Sequence, residues 1–221
     1  MNTSFFRDVI KLSTFSIIGQ VSSVVALPFI TRLFSPDEFG FYSLFVTAVT
    51  IIGLLASGMY HRVIVVTDDE LEAERLVVLA LLLGLISSML VFCLIKLFYV
   101  LEIFSSYRNL ALISEGFSLA VFLYVGSQGL YVWLNRHKNY NLMGGSTLTR
   151  DVLASSSKLM FGFFGLVNLG LIYGYLVSQL AFFLLILFPF LKKINLKRLL
   201  SEFRPRDYSG LLKKYLDFPR L

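Results

Sequence analysis

The chain has 221 residues, of which 57% are hydrophobic and 15% are charged, and its formal net charge is +6. A soluble domain carries roughly 25% charged residues, so this composition excludes an ordinary soluble domain and predicts a membrane protein. The basic residues collect between apolar segments. That distribution indicates membrane topology and argues against a nucleic-acid partner, which would require a basic face on a folded domain.

The apolar residues occur in continuous segments of about twenty residues, the length that crosses ~30 Å of hydrocarbon. These segments do not alternate polar with apolar residues, so they favour helices over a barrel. The sequence therefore predicts an all-α polytopic membrane bundle of about six transmembrane helices, at 10–31, 40–60, 76–99, 110–134, 143–166 and 170–191.

The first apolar segment follows Arg7 and Lys11 and is longer than the ~7–15 apolar residues of a signal peptide, so we expect an uncleaved helix. The junction after it reads Ser35-Pro36-Asp37-Glu38. Ser35 and Glu38 have the spacing of a capping box, and Pro36 suits the first turn. The second helix is therefore predicted to begin near Pro36.

The loop at 61–75 is rich in acidic residues, and we expect a solvated loop or a short surface helix there. It lacks the ligand spacing and glycine turn of a calcium-binding loop. Cys93 is the only cysteine, and His61 and His137 lie far apart in the sequence. The sequence therefore predicts no metal site and no cofactor.

The fifth predicted helix is the most polar of the six. At 100° per residue, one stripe holds Thr147, Asp151, Lys158, Gly162 and Gly165, and a neighbouring stripe holds Arg150, Ala154 and Ser157. Ionisable residues inside apolar spans usually face a bundle interior or an aqueous cavity. This face is therefore predicted to point away from lipid.

The charged residues within predicted spans allow more than one interpretation. Arg150 and Asp151 either line a cavity or form a local pair near the cytoplasmic end, with Lys158 deeper in the helix. Glu115 lies near the outer end of the fourth helix. We expect either an intramembrane pair between Glu115 and Lys158 or a proton-linked switch, with Asp151 as a further ion-coupling candidate.

Two other patterns suggest contacts between helices. Gln20, Gln128 and Gln179 each fall within a predicted span, where a glutamine usually forms hydrogen bonds between helices. Gly170 and Gly174 have the GxxxG spacing that lets two helices approach closely.

Most lysines and arginines fall at one set of helix ends, so both termini are predicted to be cytoplasmic. Residues 192–214 form a basic segment with interspersed leucines. This segment is predicted to be an amphipathic stretch lying on anionic headgroups, an ordinary basic linker, or both.

Several motifs carry a family resemblance. Pro28, Arg32, Pro36, Glu38, Phe39, Gly40 and Tyr42 resemble the signature after the first helix of the O-antigen and polysaccharide-biosynthesis flippases, within the multidrug/oligosaccharidyl-lipid/polysaccharide exporter superfamily. The segments 58–62, 170–174 and 215–219 also look like this family.

The resemblance implies a transporter of two six-helix lobes that moves undecaprenyl-diphosphate-linked oligosaccharide across the bacterial inner membrane, and not an enzyme. Residues 1–191 would be the N-terminal lobe, and 192–221 would be the basic cytoplasmic segment and the start of a second lobe that this chain lacks. Its expected partners are membrane lipids, the lipid-linked oligosaccharide and that second lobe.

A diphosphate needs cations, and the candidates are Arg150, Lys158, Arg32 and Arg62. Only Arg32 and Arg62 coincide with the motifs that carry the resemblance. Arg150 and Lys158 are candidates because they lie inside an apolar span, as are Asp151 and Glu115 for ion coupling.

Other interpretations remain open from the sequence alone. The chain is either a truncated product, which we favour, a fragment, or a half that pairs with a second lobe. A drug or cation exporter of the same superfamily is an alternative, but the polar fifth helix and the basic tail slightly favour an anionic lipid substrate. A membrane-embedded polysaccharide-assembly enzyme would need a large outer loop, and the predicted outer loops are short. An inert membrane-inserted fragment is the remaining alternative.

Overall fold

The computed structural model describes residues 3–58, 62–67, 69–101, 108–166 and 169–194. Within these ranges the chain forms seven helices and no strand: α1 (Thr3–Leu33), α2 (Pro36–Ser57), α3 (Val63–Val66), α4 (Glu70–Val100), α5 (Arg108–Arg136), α6 (Tyr140–Phe163) and α7 (Gly170–Lys193). The predicted basic segment lies outside the described residues from position 195 onward.

The predicted polytopic helical fold is confirmed. Five helical segments are long and apolar enough to cross a membrane: Phe6–Leu33, Pro36–Ser57, Glu70–Val100, Ser114–Arg136 and Gly170–Lys193. The predicted fifth span corresponds to α6, which has 24 residues but is more polar than the others. Its membrane crossing stays a prediction.

The junction between α1 and α2 forms the predicted capping box. The Ser35 backbone N–H donates to Glu38 Oε2 at 2.7 Å, and the Glu38 N–H donates to Ser35 Oγ at 3.4 Å. These bonds satisfy two donors that a helix start leaves unpaired. They fix the start of α2 at Pro36, as the sequence predicts.

The helix α4 begins at Glu70, six residues before the predicted start at 76. Asp69 caps it, because the Leu71 N–H donates to Asp69 Oδ1 at 3.1 Å. Glu70 and Glu72 then occupy the first turn, where the helix dipole favours negative charge. The acidic residues from Glu70 onward thus belong to a long helix, while Asp68 lies outside the described residues.

The connection between α5 and α6 is a three-residue turn with a left-handed residue. Lys138 has φ 53°. Its N–H donates to Asn135 O at 2.9 Å, and the Asn139 N–H donates to Leu134 O at 3.1 Å. These two bonds form a Schellman motif, in which glycine is the usual left-handed residue. Asn139 then caps α6 by accepting from the Leu142 N–H at 3.3 Å.

A second Schellman motif ends α6 earlier than predicted. Gly165 has φ +72°, its N–H donates to Gly162 O at 3.1 Å, and the Leu166 N–H donates to Phe161 O at 3.0 Å. The helix therefore stops at Phe163, and the predicted place of Gly165 on the polar stripe is wrong. A glycine just past a helix end accommodates the left-handed turn without a Cβ clash.

The chain divides into two compact units. Unit 1 holds residues 1–47 and 134–189, which comprise α1, the first half of α2, α6 and most of α7. Its interior includes a cluster of Ala26, Ile30, Phe34 and Leu171, against which Tyr42 and Leu159 pack.

Unit 2 holds residues 48–133 and 190–221. Small residues allow close helix contacts inside it. A Cβ at Gly129 would lie 2.8 Å from the Cβ of Ala80, and a Cβ at Gly84 would lie 3.3 Å from that of Val125. The Ser88 hydroxyl donates to the Ser118 carbonyl at 2.8 Å, which links α4 to α5.

Large apolar side chains cover much of the outer surface of both units. Val24 of α1 is 68% exposed and Met89 of α4 is 64% exposed. Exposed apolar surface on this scale marks a membrane or an interaction site. Together with the five apolar helices, it identifies a helical membrane protein.

Candidate functional site

The candidate site is built on α6, which unit 1 holds against α1 and α7 through glycines. A Cβ at Gly19 of α1 would lie 2.8 Å from Asp151 Oδ2, and a Cβ at Gly162 would lie 3.0 Å from the Cδ1 of Leu33. Gly144 lies directly against Phe15. These contacts turn one side of α6 toward its neighbours, so the polar residues there are partly or fully buried.

Arg150 and Asp151 form an ion pair at the middle of α6. Both Nε and Nη2 of Arg150 lie 3.1 Å from Asp151 Oδ1. The Arg150 guanidinium also lies over the Phe182 ring of α7, 5.0 Å from its centroid. The two side chains are 37% and 26% exposed. The structure thus forms the local pair that the sequence leaves as one alternative.

The position of this pair along the helix differs from the expectation. Asp151 and Val152 are the two middle residues of Tyr140–Phe163, whereas Lys158 lies five residues before the helix ends. The Arg150–Asp151 pair therefore lies at mid-helix, and Lys158 lies nearer an end. The order along the helix differs from the expectation because α6 begins and ends three residues earlier than the predicted span. The depth of each residue in the membrane stays a prediction.

Lys158 is the second charged position, and its partner is neutral. Its ammonium donates to the Tyr42 hydroxyl of α2 at 2.9 Å. It also lies 4.4 Å from the centroid of the Tyr42 ring. Tyr42 thus contributes both a hydrogen bond and a cation–π contact, and neither neutralises the charge.

The aliphatic part of Lys158 passes over a glycine of α7. A Cβ at Gly174 would lie 2.6 Å from Lys158 Cγ, 3.0 Å from its backbone nitrogen and 3.2 Å from its Cα. Gly174 is the second glycine of the GxxxG pattern, and the structure places it where two helix backbones meet. Tyr175, the next residue, packs edge-on against Tyr42 with the ring centroids 6.4 Å apart.

The two charged positions on α6 are separated along the helix. Lys158 follows Arg150 by eight residues, which corresponds to about 12 Å of axial rise. The charged residues of the two predicted stripes therefore form two distinct sites, and the direction of these stripes relative to lipid stays a prediction. One is a compensated ion pair and the other is a lysine with a tyrosine.

The other predicted site residues lie elsewhere. Arg32 is exposed in the last turn of α1, within unit 1. Arg62 is exposed just before α3, and Glu115 is exposed on α5, both within unit 2. The proposed pairing of Glu115 with Lys158 joins residues of different units and stays a prediction.

An open groove of about 430 Å³ runs between α1 and α6. Its lining carries no charged residue and is mostly apolar: Ile18, Val21, Ser22, Val25, Ala26, Phe29, Val152, Ser155, Ser156 and Leu159. The Ser155 hydroxyl lies 3.4 Å from that of Ser23. Of the residues that line this groove, Ala26 belongs to the cluster against which Tyr42 packs, and Leu159 packs against the same cluster.

The sequence indicates the charged residues but not the residues of other helices that contact them. It shows Tyr42 only as part of a family signature, and it does not distinguish Gly19 or Phe182 from other residues of their helices. The available signals are a tyrosine in a motif and a glycine inside an apolar helix. Neither reveals a contact with a residue more than a hundred positions away.

The residues of the candidate site lie within a range of the chain that matches a known protein family. Residues 29–206 match the family model described as polysaccharide biosynthesis protein. The chain belongs to this family. The matched range includes all of the site candidates from Arg32 to Lys158, as well as Tyr42 and Gly174.

The family match agrees with the resemblance seen in the sequence, and it places this membrane protein in polysaccharide biosynthesis. No curated protein and no solved structure matches the chain.

Proposed function

We propose that this chain acts in the transfer of undecaprenyl-diphosphate-linked oligosaccharide across the bacterial inner membrane, as one lobe of a flippase. Family membership supports a role in polysaccharide biosynthesis, and the helical membrane fold suits a transporter. The observation that carries the substrate assignment is Lys158, a partly buried cation held by a neutral partner.

The charge of Lys158 is available to an anion. Among the residues that the structure describes, only the Tyr42 hydroxyl takes up one of its three N–H donors. At an effective dielectric constant of 20, a unit charge 4 Å away would interact with it by about 4 kcal/mol. An acidic group of the substrate is the natural counter-charge. Arg150 offers less, because Asp151 already compensates it.

A drug or cation exporter fits this site less well. A cationic drug would bind to an aromatic face or to a carboxylate. The Tyr42 ring already carries Lys158, and Asp151 already accepts from Arg150. Both features for cation binding are thus occupied by the protein's own cations, which favours an anionic substrate.

The role proposed for the site is binding and release, without bond-making chemistry. Lys158 would attract a phosphate group through its positive charge, and the Tyr42 hydroxyl would form a hydrogen bond with it. Arg150 and Asp151 would keep α6 in position. During transport, the phosphate group of the substrate would give up its contacts with water, bind to Lys158 and Tyr42, and return to water on release.

The test uses the full chain in a strain that lacks its own flippase, with and without a co-expressed second lobe. Surface polysaccharide is measured for the wild-type chain, for Lys158→Met and for Lys96→Met. Lys96 is a matched control because it also lies in a long helix over an aromatic ring. We expect Lys158→Met to lose at least tenfold in surface polysaccharide and Lys96→Met to stay within twofold.

Expression and membrane insertion of each variant are measured in parallel. Normal surface polysaccharide from normally expressed Lys158→Met would contradict the assignment of Lys158. If the wild-type chain restores no polysaccharide in either background, the proposed function itself is contradicted.

A further inference from the structure

The positions of Lys158 and Arg150 on α6 limit the number of phosphate groups that the site can recognise. A lipid-linked oligosaccharide of the proposed kind carries a diphosphate, and two cations on one helix face suggest a clamp with one cation for each phosphate. We infer instead that the site recognises a single phosphate group through Lys158 alone, with Arg150 as a structural residue. This inference rests on the proposed function.

The first reason is distance. Lys158 and Arg150 are eight residues apart on one helix, about 12 Å along its axis. The two phosphorus atoms of a diphosphate share one bridging oxygen and lie far closer together than that. Each side chain is also directed toward a different partner, Lys158 to Tyr42 of α2 and Arg150 to Phe182 of α7.

The second reason is that Arg150 is already occupied. Two of its nitrogens contact the same carboxylate oxygen of Asp151, each at 3.1 Å, and its guanidinium lies over the Phe182 ring. The Asp151 carboxylate therefore already compensates the charge of this guanidinium. A phosphate beside Arg150 would meet a carboxylate of its own sign, whereas a phosphate beside Lys158 would meet a neutral tyrosine hydroxyl.

The third reason is that Lys158 is held in place. The Gly174 contact fixes the start of its side chain, and the Tyr42 contact fixes its ammonium. A lysine is a compact point charge and does not fork around two groups as arginine does. A fixed ammonium and an adjacent tyrosine hydroxyl match one tetrahedral phosphate.

Arg32 is the remaining cation of unit 1 among the predicted site residues. Its neighbour Leu33 contacts Gly162, one helical turn beyond Lys158 on α6. Arg32 itself is exposed. It is therefore the residue most able to supply a second cation, and the test includes it.

The experiment measures binding to the purified full chain in detergent. Three probes share one farnesyl chain and one disaccharide, and they differ only in the linkage, which is a diphosphate, a monophosphate or an uncharged ether. We expect the diphosphate and the monophosphate to bind within threefold of each other and the ether to bind at least tenfold more weakly. These comparisons use the wild-type chain, so they do not depend on the folding of a variant.

Binding to substituted chains then identifies the side chain that recognises the phosphate group. Lys158→Gln should reduce both phosphate probes to the level of the ether, whereas Arg150→Gln with Asp151→Asn, and Arg32→Gln, should leave their ratio unchanged. Binding of the diphosphate probe more than tenfold tighter than the monophosphate probe would overturn the one-phosphate inference and leave the proposed function standing. If an arginine variant lost that difference in affinity, the substituted arginine would be the second cation. Equal binding of all three probes would contradict the proposed function as well.

Discussion

Lys96 of α4 and Lys158 of α6 are both lysines near the end of a long helix, and each ammonium lies over an aromatic ring. The ring under Lys96 is Phe92, four residues earlier in the same helix, with 5.3 Å to its centroid. The ring under Lys158 is Tyr42, from a different helix, at 4.4 Å and with an added hydrogen bond.

The residues around the two lysines also differ. Next to Lys96, the side chains of Leu94 and Leu97 are 42% and 51% exposed. Lys96 itself is half-buried, as Lys158 is, so burial alone does not distinguish the two lysines. The long side chain of Lys96 can still reach the membrane surface. The backbone of Lys158 lies against Gly174. Lys96 contacts an aromatic ring of its own helix, as a lysine that anchors a helix at the membrane surface can. Lys158 contacts residues of α2 and α7, and this makes it a candidate binding residue.

The largest expected effect comes from the close contact at Gly174. Gly174→Ala should lower the free energy of unfolding by about 1–3 kcal/mol, the usual range for overpacking, because the new Cβ meets the backbone of Lys158. Thermal unfolding of the detergent-solubilised chain measures this change. The matched control is Gly145→Ala, since a Cβ there meets nothing within 4 Å. Gly145→Ala should stabilise its helix by about 0.5–1 kcal/mol, and equal effects at both positions would contradict the close approach of α6 and α7.

The second effect separates the two aromatic contacts. Tyr42→Leu should weaken binding of a lipid-linked phosphate by about tenfold, or about 1.4 kcal/mol, because Lys158 loses its hydrogen bond and its ring together. Tyr42→Phe keeps the ring and should weaken binding by about threefold. Phe92→Leu, the corresponding change under Lys96, should leave binding unchanged. A loss with Phe92→Leu as large as that with Tyr42→Leu would remove the distinction between the two lysines.

The third effect concerns the Arg150–Asp151 pair. In a double-mutant cycle, Asp151→Asn and Arg150→Gln should each destabilise the chain, and the double variant should recover part of the loss. We expect a coupling energy of about 1 kcal/mol, because the pair is only partly shielded from solvent. Unfolding in urea gives the four free energies. A coupling near zero would show that the pair contributes little to holding α6.

The smallest effect concerns a third lysine, whose backbone matters more than its charge. Lys138→Gly should raise the free energy of unfolding by about 0.5–1 kcal/mol, because glycine adopts the left-handed conformation of this turn without strain. Lys138→Ala removes the same charge and keeps the Cβ, so it should give no such gain. Equal melting temperatures for the two variants would contradict this reading of the turn.

Much of the fold could be predicted because its signals are local. The capping box at Ser35 and Glu38 needs only four residues, and it fixes the start of α2 as expected. Helix ends were less predictable where polar residues belong to an apolar helix, as at the start of α4. There the cap at Asp69 adds a turn and a half that hydropathy alone assigns to a loop.

The candidate site was predictable only in its charged members. Arg150, Asp151 and Lys158 are conspicuous in an otherwise apolar segment, and helical periodicity places them on neighbouring stripes. The sequence could not say that Asp151 pairs with Arg150 while Lys158 contacts a neutral tyrosine. That difference depends on where each side chain points within the bundle.

The membrane class, the helices, the first junction and the family resemblance can be predicted from the amino-acid sequence, because composition, periodicity and capping act over a few residues. The contact of Lys158 with Tyr42, 116 positions away, and the space that Gly174 and Gly19 leave for α6 are visible only in the folded structure. Such contacts depend on how helices pack, and packing is decided by the shapes of several segments together. The two charged positions of α6 thereby acquire different contacts, which their residue types alone do not predict.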